Sequence, residues 1–346
     1  MRVSDRTTAR NYLKYLNKAQ DSYAKTNQQI ASGCRFERLS DDVSSGTRVL
    51  RTRMDMFESQ KQLDNVKNIN DEMSSTETSM MSINDLLSEL HSTKLVKAMN
   101  ESTAQSGRDA IASEVKAMRE SILQFANLRY GKRYVFGGSN ASSTAPFTAG
   151  KDGRIEYNGI PVDDIQKDTD GFFYMDGAGK RQNIPMDDPV YMDIGLGLKM
   201  TGKDVDPNTG FLLSYSGLDI LGFGKDAEGK SNNLYNMMLD IEKTLKEYET
   251  TPGAKDKLGK LDAHLVKETD RFRGNITDIG SKTQMLDNMQ TRLESVVDNY
   301  QNRITNLMGT DDKEAATQLS MNEYVLKAVL SMGSRILPIS LMDFLR

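Results

Sequence analysis

Two histidines, one cysteine and a few glycine- and aspartate-rich runs are the residues of this chain that could carry chemistry. His91 and His264 each sit beside an apolar seam on an expected helix. Neither has a second histidine or a carboxylate at metal-ligand spacing, so both read as partly exposed surface histidines. Cys34 follows Gly33 in a short turn without a His–Asp pattern, and it reads as a buried or interface thiol rather than a nucleophile. A lone cysteine also excludes an intrachain disulfide framework. The run Gly131-Lys132-Arg133-Tyr134-Val135-Phe136-Gly137-Gly138 is glycine-rich but fits no phosphate-loop spacing, and it reads as an exit from a helix. Asp204, Asp206 and Asn208 imitate the first, third and fifth positions of a calcium loop. Thr209 and Tyr215 then stand where that loop needs glycine and a bidentate carboxylate, so a β-turn is the better reading. No set of residues for catalysis, a metal or a cofactor survives.

The elements carry more information than the reactive residues. Residues 1–145 contain no proline, whereas residues 137–230 hold 16 of the 26 glycines and 5 of the 7 prolines. Helical heptads therefore fill both ends and irregular sequence fills the middle. Tyr12, Leu16, Ala19, Tyr23, Thr26 and Ile30 are spaced as a heptad seam rather than a broad globular face. Gly33 suits a left-handed C-cap. Ser40 is expected to restart a helix as N-cap, with Asp41 and Asp42 in its first turn.

From Val43 to about Lys97 a helix of roughly 80 Å is expected. Leu50, Met54 and Phe57 form one seam of it. Val66, Ile69, Met73, Thr76, Met80, Ile83, Leu87 and Leu90 form a cleaner one. A turn around 100–107 leads to a returning helix through Ile111, Val115, Met118, Ile122 and Phe125. The middle shows β-prone runs at 154–158, 171–175 and 190–200, which suggest a small hairpin-built insert. A helix near 234–248 is broken at Thr251-Pro252-Gly253. A long heptad frame then runs from Leu258 to Leu307, interrupted by Glu268, Asn275, Lys282 and Arg303. A last segment follows Gly309. Arg48, Arg51 and Arg53 read as a solvated helix face.

The net charge of −4 gives no electrostatic support for a nucleic-acid partner. The polar start Met1–Arg6 lacks the apolar core of a secretory signal peptide. No stretch approaches the length of a membrane-spanning helix, so membrane insertion is not expected.

The segment Ile30-Ala31-Ser32-Gly33-Cys34-Arg35-Phe36-Glu37-Arg38-Leu39-Ser40-Asp41-Asp42 resembles the turn joining the first two helices of bacterial flagellins and flagellin-like junction proteins. Its marked positions are Ser32, Gly33, Arg35, Ser40, Asp41 and Asp42. Asn70-Asp71-Glu72-Met73 is similar to the flagellin core helix, and 312–320 to the start of its C-terminal helix. The start Met1–Ser4, the run Tyr134–Asn140 and the ending Ile339–Arg346 resemble the hook-associated proteins of the hook–filament junction rather than flagellin. Cys34 departs from the usual non-thiol residue of the turn.

The resemblance implies a mainly α fold, a long antiparallel helical bundle formed by the N- and C-terminal arms, with a small mainly β outer insert. Residues 1–40 and 310–346 would be the inner coaxial helices. Residues 41–136 and 231–309 would be the long bundle, and 137–230 the insert. It also implies export through the flagellar type III apparatus and a secreted location at the hook–filament junction, after a transient cytoplasmic stage. The implied partners are further copies of the chain in a ring or tube, the other hook-associated junction protein, flagellin, and a cytosolic export chaperone on the C-terminal helix.

The assembly interface expected from the seams comprises Tyr12, Leu16, Tyr23, Ile30, Leu319, Leu326, Val329, Leu330 and Leu337. Burying seven of these large side chains against neighbouring copies supplies on the order of 10–20 kcal/mol before ordering costs. The terminal helices are therefore expected to order on assembly. The rival readings are flagellin itself, a soluble coiled-coil adaptor, and a carbohydrate-active or calcium-binding enzyme housed in the insert.

Overall fold

The computed structural model describes residues 2–336 except 140–143, 170, 185–189, 196, 198, 202–203, 207–208 and 214. The fold is mainly α, with small antiparallel sheets between helical arms. The helices are α1 (Arg2–Ser32), α2 (Val43–Glu89), α3 (Val96–Met99), α4 (Gln105–Ala126), α5 (Gly217–Leu221), α6 (Leu234–Lys246), α7 (Ala254–Met308) and α8 (Asp312–Ile336). The chain divides into two compact units, Met1–Gln60 with Glu294–Arg346, and Lys61–Leu293.

In the larger unit, the clean heptad seam of α2 is buried at all eight positions from Val66 to Leu90. Its polar member, Thr76, donates its hydroxyl to the Glu72 carbonyl at 2.7 Å. Beyond Leu90 a strict heptad would bring Lys94 and Lys97 into the core. A π-helical turn at Leu90–Leu95 inserts one residue, so that Leu95 and Ala98 become fully buried instead. Lys94 is turned outward to Glu89 at 3.0 Å and Glu114 at 2.7 Å. The returning helix α4 buries Ile111, Val115, Met118 and Ile122. On α7, Leu258, Leu261, Leu265, Phe272, Ile279, Leu286 and Leu293 are buried.

Three of the four polar interruptions of the α7 frame find partners, and the fourth, Arg303, is exposed. Buried Glu268 accepts from Arg271 at 2.7 Å, Asn275 donates to the Asp219 carbonyl at 3.0 Å, and Lys282 lies 4.8 Å over the Tyr215 ring.

The middle is built of short hairpins. Strands β1 (Arg129–Tyr130) and β2 (Arg133–Tyr134) form a first hairpin; β3 (Phe147–Ala149), β4 (Ile155–Tyr157) and β5 (Ile160–Pro161) form one three-stranded antiparallel sheet, and β6 (Ile165–Asp168), β7 (Gly171–Met175) and β8 (Arg181–Asn183) form another. The runs expected at 154–158 and 171–175 are thus β4 and β7. The run expected at 190–200 is not one strand. Among its described residues only Tyr191–Met192 and Met200 lie in strands, because the Asp193 carboxylate accepts the Gly195 and Gly197 N–H groups and folds a turn between them. The stretch near Asp206 is a turn closed by the Thr209 N–H to the Asp206 carbonyl at 2.9 Å, with Asn208 outside the described residues.

A buried polar cluster roots these hairpins on the helices. Arg119 of α4 donates to Glu242 of α6 at 3.1 Å, to the Tyr235 hydroxyl at 2.8 Å and to the Gly153 carbonyl at 3.1 Å. Asp163 accepts from Arg154 at 2.8 Å, Ser231 at 2.5 Å and Asn236 at 3.0 Å. Each carboxylate therefore leaves water only where donors replace it.

Candidate assembly surface

The smaller unit holds the terminal helices and the corner. Helix α1 ends at Ser32 and Gly33 turns the chain at φ +67°, a conformation that costs a glycine little. The next helix starts later than the sequence suggests. Ser40 is not its N-cap. Helix α2 begins at Val43, and Asp42 caps it by accepting the Ser45 N–H at 3.0 Å. A carboxylate can cap and pair at once: its other oxygen takes Arg35 at 2.9 Å, a double role that a serine hydroxyl cannot fill. Ser40 and Asp41 lie in the preceding turn, where the Asp41 N–H bonds to the Arg38 carbonyl at 3.0 Å. The Ser45 N–H, then the Ser45 hydroxyl and Arg35 hold the Asp42 carboxyl below its ordinary range.

The turn between α7 and α8 meets this corner. The Arg35 N–H donates to the Met308 carbonyl at 2.7 Å and the Thr310 N–H to the Gly33 carbonyl at 3.0 Å, on either side of an antiparallel bridge between Cys34 and Gly309. Cys34 is half-buried in this bridge. Phe36, Val49 and Ile304 form a small core beneath it.

That core corrects another expectation. Leu50, Met54 and Phe57 are exposed by 46, 64 and 59%. The buried face of this stretch is Val49 and Thr52, with Met56 half-buried. Both faces repeat at three and four residues. Spacing alone could not choose between them, and contact with Ile304 does.

Helices α1 and α8 pack antiparallel. Asn322 donates to the Thr26 hydroxyl at 2.9 Å and to the Ser22 carbonyl at 3.3 Å. The positions buried between them are small: Ala19, Thr26, Ala315 and Gly333, where an added side chain would meet the Tyr12 ring. Of the expected interface residues, Tyr12, Leu16, Tyr23, Leu319, Leu326 and Val329 are half-buried, Ile30 and Leu330 are exposed, and Leu337 lies outside the described residues. Tyr12, Tyr15, Ala19, Val325, Val329 and Met332 line an apolar groove of about 460 Å³ along the pair. Large apolar side chains also stand in water, among them Leu13, Tyr15, Met321 and Tyr324. Apolar side chains of this size in water are ones that a partner could cover.

The histidines lie elsewhere. His91 pairs with Asp262 at 2.7 Å across α7, and His264 contacts the Ser231 carbonyl at 3.2 Å. The His91 partner lies 171 residues away in sequence, beyond the reach of local pattern.

Residues 3–141 match the family model of the bacterial flagellin N-terminal helical region. The flagellin-like region thus runs from α1 through the corner and α2 to the end of α4 and the first hairpin. Among solved structures, a Vibrio parahaemolyticus protein described as a flagellar hook-associated protein aligns over 78% of this chain and 100% of its own, at 17% identity and a TM-score of 0.58. Bacillus cereus FlgL aligns over 75% of this chain and 99% of its own, at 17% identity and a TM-score of 0.48. Flagellar hook-associated protein-3 from Legionella pneumophila aligns over 75% and 98%, at 12% identity and a TM-score of 0.49. The likeness to the Vibrio protein shows a shared fold. No curated protein sequence matches the chain. Among the described residues, no helix is long and apolar enough to cross a membrane.

Proposed function

We propose that this chain is a structural subunit of the bacterial flagellum that forms the hook–filament junction and assembles through its terminal helices. The observation that carries the reading is the match of residues 3–141 to the flagellin N-terminal helical region, on a chain whose α1–α8 pair keeps large apolar side chains in water. Two helices bury only one narrow face each, so the rest of their apolar surface is available to neighbouring subunits.

In this reading residues 1–40 and 310–346 form the inner layer, 41–136 and 231–309 the bundle around it, and 137–230 the outer insert. The role is structural rather than catalytic. Its partners are further copies of the chain, a second hook-associated junction protein on the hook side, and flagellin on the other. Export through the flagellar type III apparatus, with a cytosolic chaperone on α8, delivers it to the cell exterior.

Removing the gene from a flagellated host tests the proposal. Cells should keep hooks, release flagellin monomer into the medium and carry no filaments. Normal attached filaments would overturn it. One alternative is that the chain is itself a filament subunit, a reading that the match to the flagellin N-terminal region fits less well. In that case its loss would also abolish filaments, but no other flagellin would accumulate in the medium.

A further inference from the structure

We propose that residues 337–346 fold back on the chain that carries them and occupy the apolar groove between α1 and α8 until a neighbouring subunit displaces them. The groove measures about 460 Å³, with apolar walls from Tyr12, Tyr15, Ala19, Val325, Val329 and Met332. Among the described residues that line it, Lys18 carries the one charge. Helix α8 ends at Ile336, about one turn past Met332, so the chain leaves the helix at one end of the groove. The two helices are antiparallel, with Gly333 beside Tyr12 and Asn322 beside Ser22. The groove therefore runs back from that exit.

The sequence that follows suits it. Leu337-Pro338-Ile339-Ser340-Leu341-Met342-Asp343-Phe344-Leu345-Arg346 has large apolar residues at 337, 339, 341, 342, 344 and 345. Pro338 disfavours helical backbone at Leu337, which favours a break from α8 over its continuation. In an extended segment Leu337, Ile339 and Leu341 share one face. A cavity of about 150 Å³ holds one benzene-sized group, so the groove has room for about three such side chains. From Met332 to Asn322 is about 15 Å along α8, whereas ten extended residues span about 33 Å, which leaves about half for the reversal. Lys18 stands about 9 Å along α1 from Tyr12, where Asp343, the one acid of the segment, can reach it.

Tethering decides between this occupant and a second copy. A short flexible link holds the segment at an effective concentration of about millimolar order, far above that of free copies in dilute solution. The docking does not depend on the junction role. Its consequence, delayed self-association of the free chain, rests on assembly through the terminal helices as proposed above.

The test uses the purified full chain carrying Leu341→benzoylphenylalanine, with isotopically light and heavy copies mixed in dilute solution. After irradiation, crosslinks from position 341 to residues 8–22 or 322–332 of the same label are expected. Met332→Glu should lower their yield about fivefold by putting a carboxylate in the apolar wall. Asp343→Lys should lower it about twofold, as for an exposed ion pair, and adding Lys18→Asp should restore it. Asp343→Lys should also lower the concentration at which the chain self-associates, read by light scattering. Light–heavy crosslinks at these positions would assign the groove to a second copy and overturn the proposal. So would the absence of crosslinks to the groove, a yield indifferent to Met332→Glu, or unchanged self-association of Asp343→Lys. Normal filaments after removal of the gene would overturn the junction role and leave the crosslink standing.

Discussion

Replacing Arg119 with methionine should destabilise the larger unit more than other single changes near the insert. The Arg119 and Glu242 side chains are both 7% exposed, 3.1 Å apart. Without the guanidinium, the Glu242 carboxylate stays buried with only Lys246, itself half-exposed, at 2.7 Å. Breaking a buried pair by removing one partner costs about 3–5 kcal/mol, and the remaining lysine places this case toward the lower end. The Tyr235 hydroxyl and the Gly153 carbonyl each lose a donor as well, at about 1 kcal/mol apiece. A total near 5 kcal/mol corresponds to a drop in melting temperature of about 10–20 °C for a unit of this size. Calorimetry on the full chain reads it directly. Adding Glu242→Leu to Arg119→Met should recover most of the loss, since the stranded charge is then gone. A single variant that melts within about 2 °C of the parent, or a double variant that loses the sum of its singles, would refute the reasoning.

Gly222 sits at φ +92°, and a Cβ there would overlap the Asn232 carbonyl, so Gly222→Ala should cost about 3 kcal/mol in denaturant melts. In purified monomer, the amides of residues 1–35 should exchange with solvent far faster than those of α4. Strong protection of 1–35 would show that the terminal pair orders without neighbours. The depressed Asp42 carboxyl stabilises the corner above its ordinary range and loses that contribution as pH falls below about 4 through the folded value. Asp42→Asn should therefore flatten the acid side of the stability profile, measured as melting temperature against pH.

The heptad positions of α2 beyond Val66 were legible in the sequence because eight of them share one frame and one face. The frame slip at Leu90–Leu95 was legible in principle: Leu90 to Leu95 is a spacing of five, and a strict heptad runs into two lysines. At Leu50, Met54 and Phe57 the sequence offered two equivalent stripes, and only the distant Ile304 selects Val49 and Thr52 instead. The cap at Asp42 was ambiguous for a similar reason, since Ser40, Asp41 and Asp42 are all good N-caps and Arg35 settles the choice from across the turn. The Arg119 cluster was invisible, because its members come from residues 119, 153, 235 and 242 and no local period links them. Local pattern reveals faces; it does not reveal which distant residue a face will meet.

The terminal pair shows how packing of one copy prepares the surface for the next. Helices α1 and α8 meet through Ala19, Thr26, Ala315 and Gly333, residues small enough for close approach. Close approach has a geometric consequence: the larger side chains that flank the seam, Tyr12, Tyr23, Leu326 and Val329, are displaced toward its edges and stay half in water. A pair held by large residues would bury its apolar area internally and leave a polar exterior. Here the apolar area is carried on the edges, where each further helix that arrives covers a strip from both members. Burial then grows with every added neighbour, at about 25 cal/mol per Å² removed from water, while the ordering cost of the pair is met once. Cooperative addition of subunits follows from that asymmetry, and enlarging the buried small residues should weaken it. Ala19→Leu would force the helices apart and cover edge surface within the monomer, so the chain should become less able to assemble even where its own helices are more protected in hydrogen exchange. A variant that assembles as well as the parent, with unchanged exchange in α1, would show that the small seam is not what sets the outer surface.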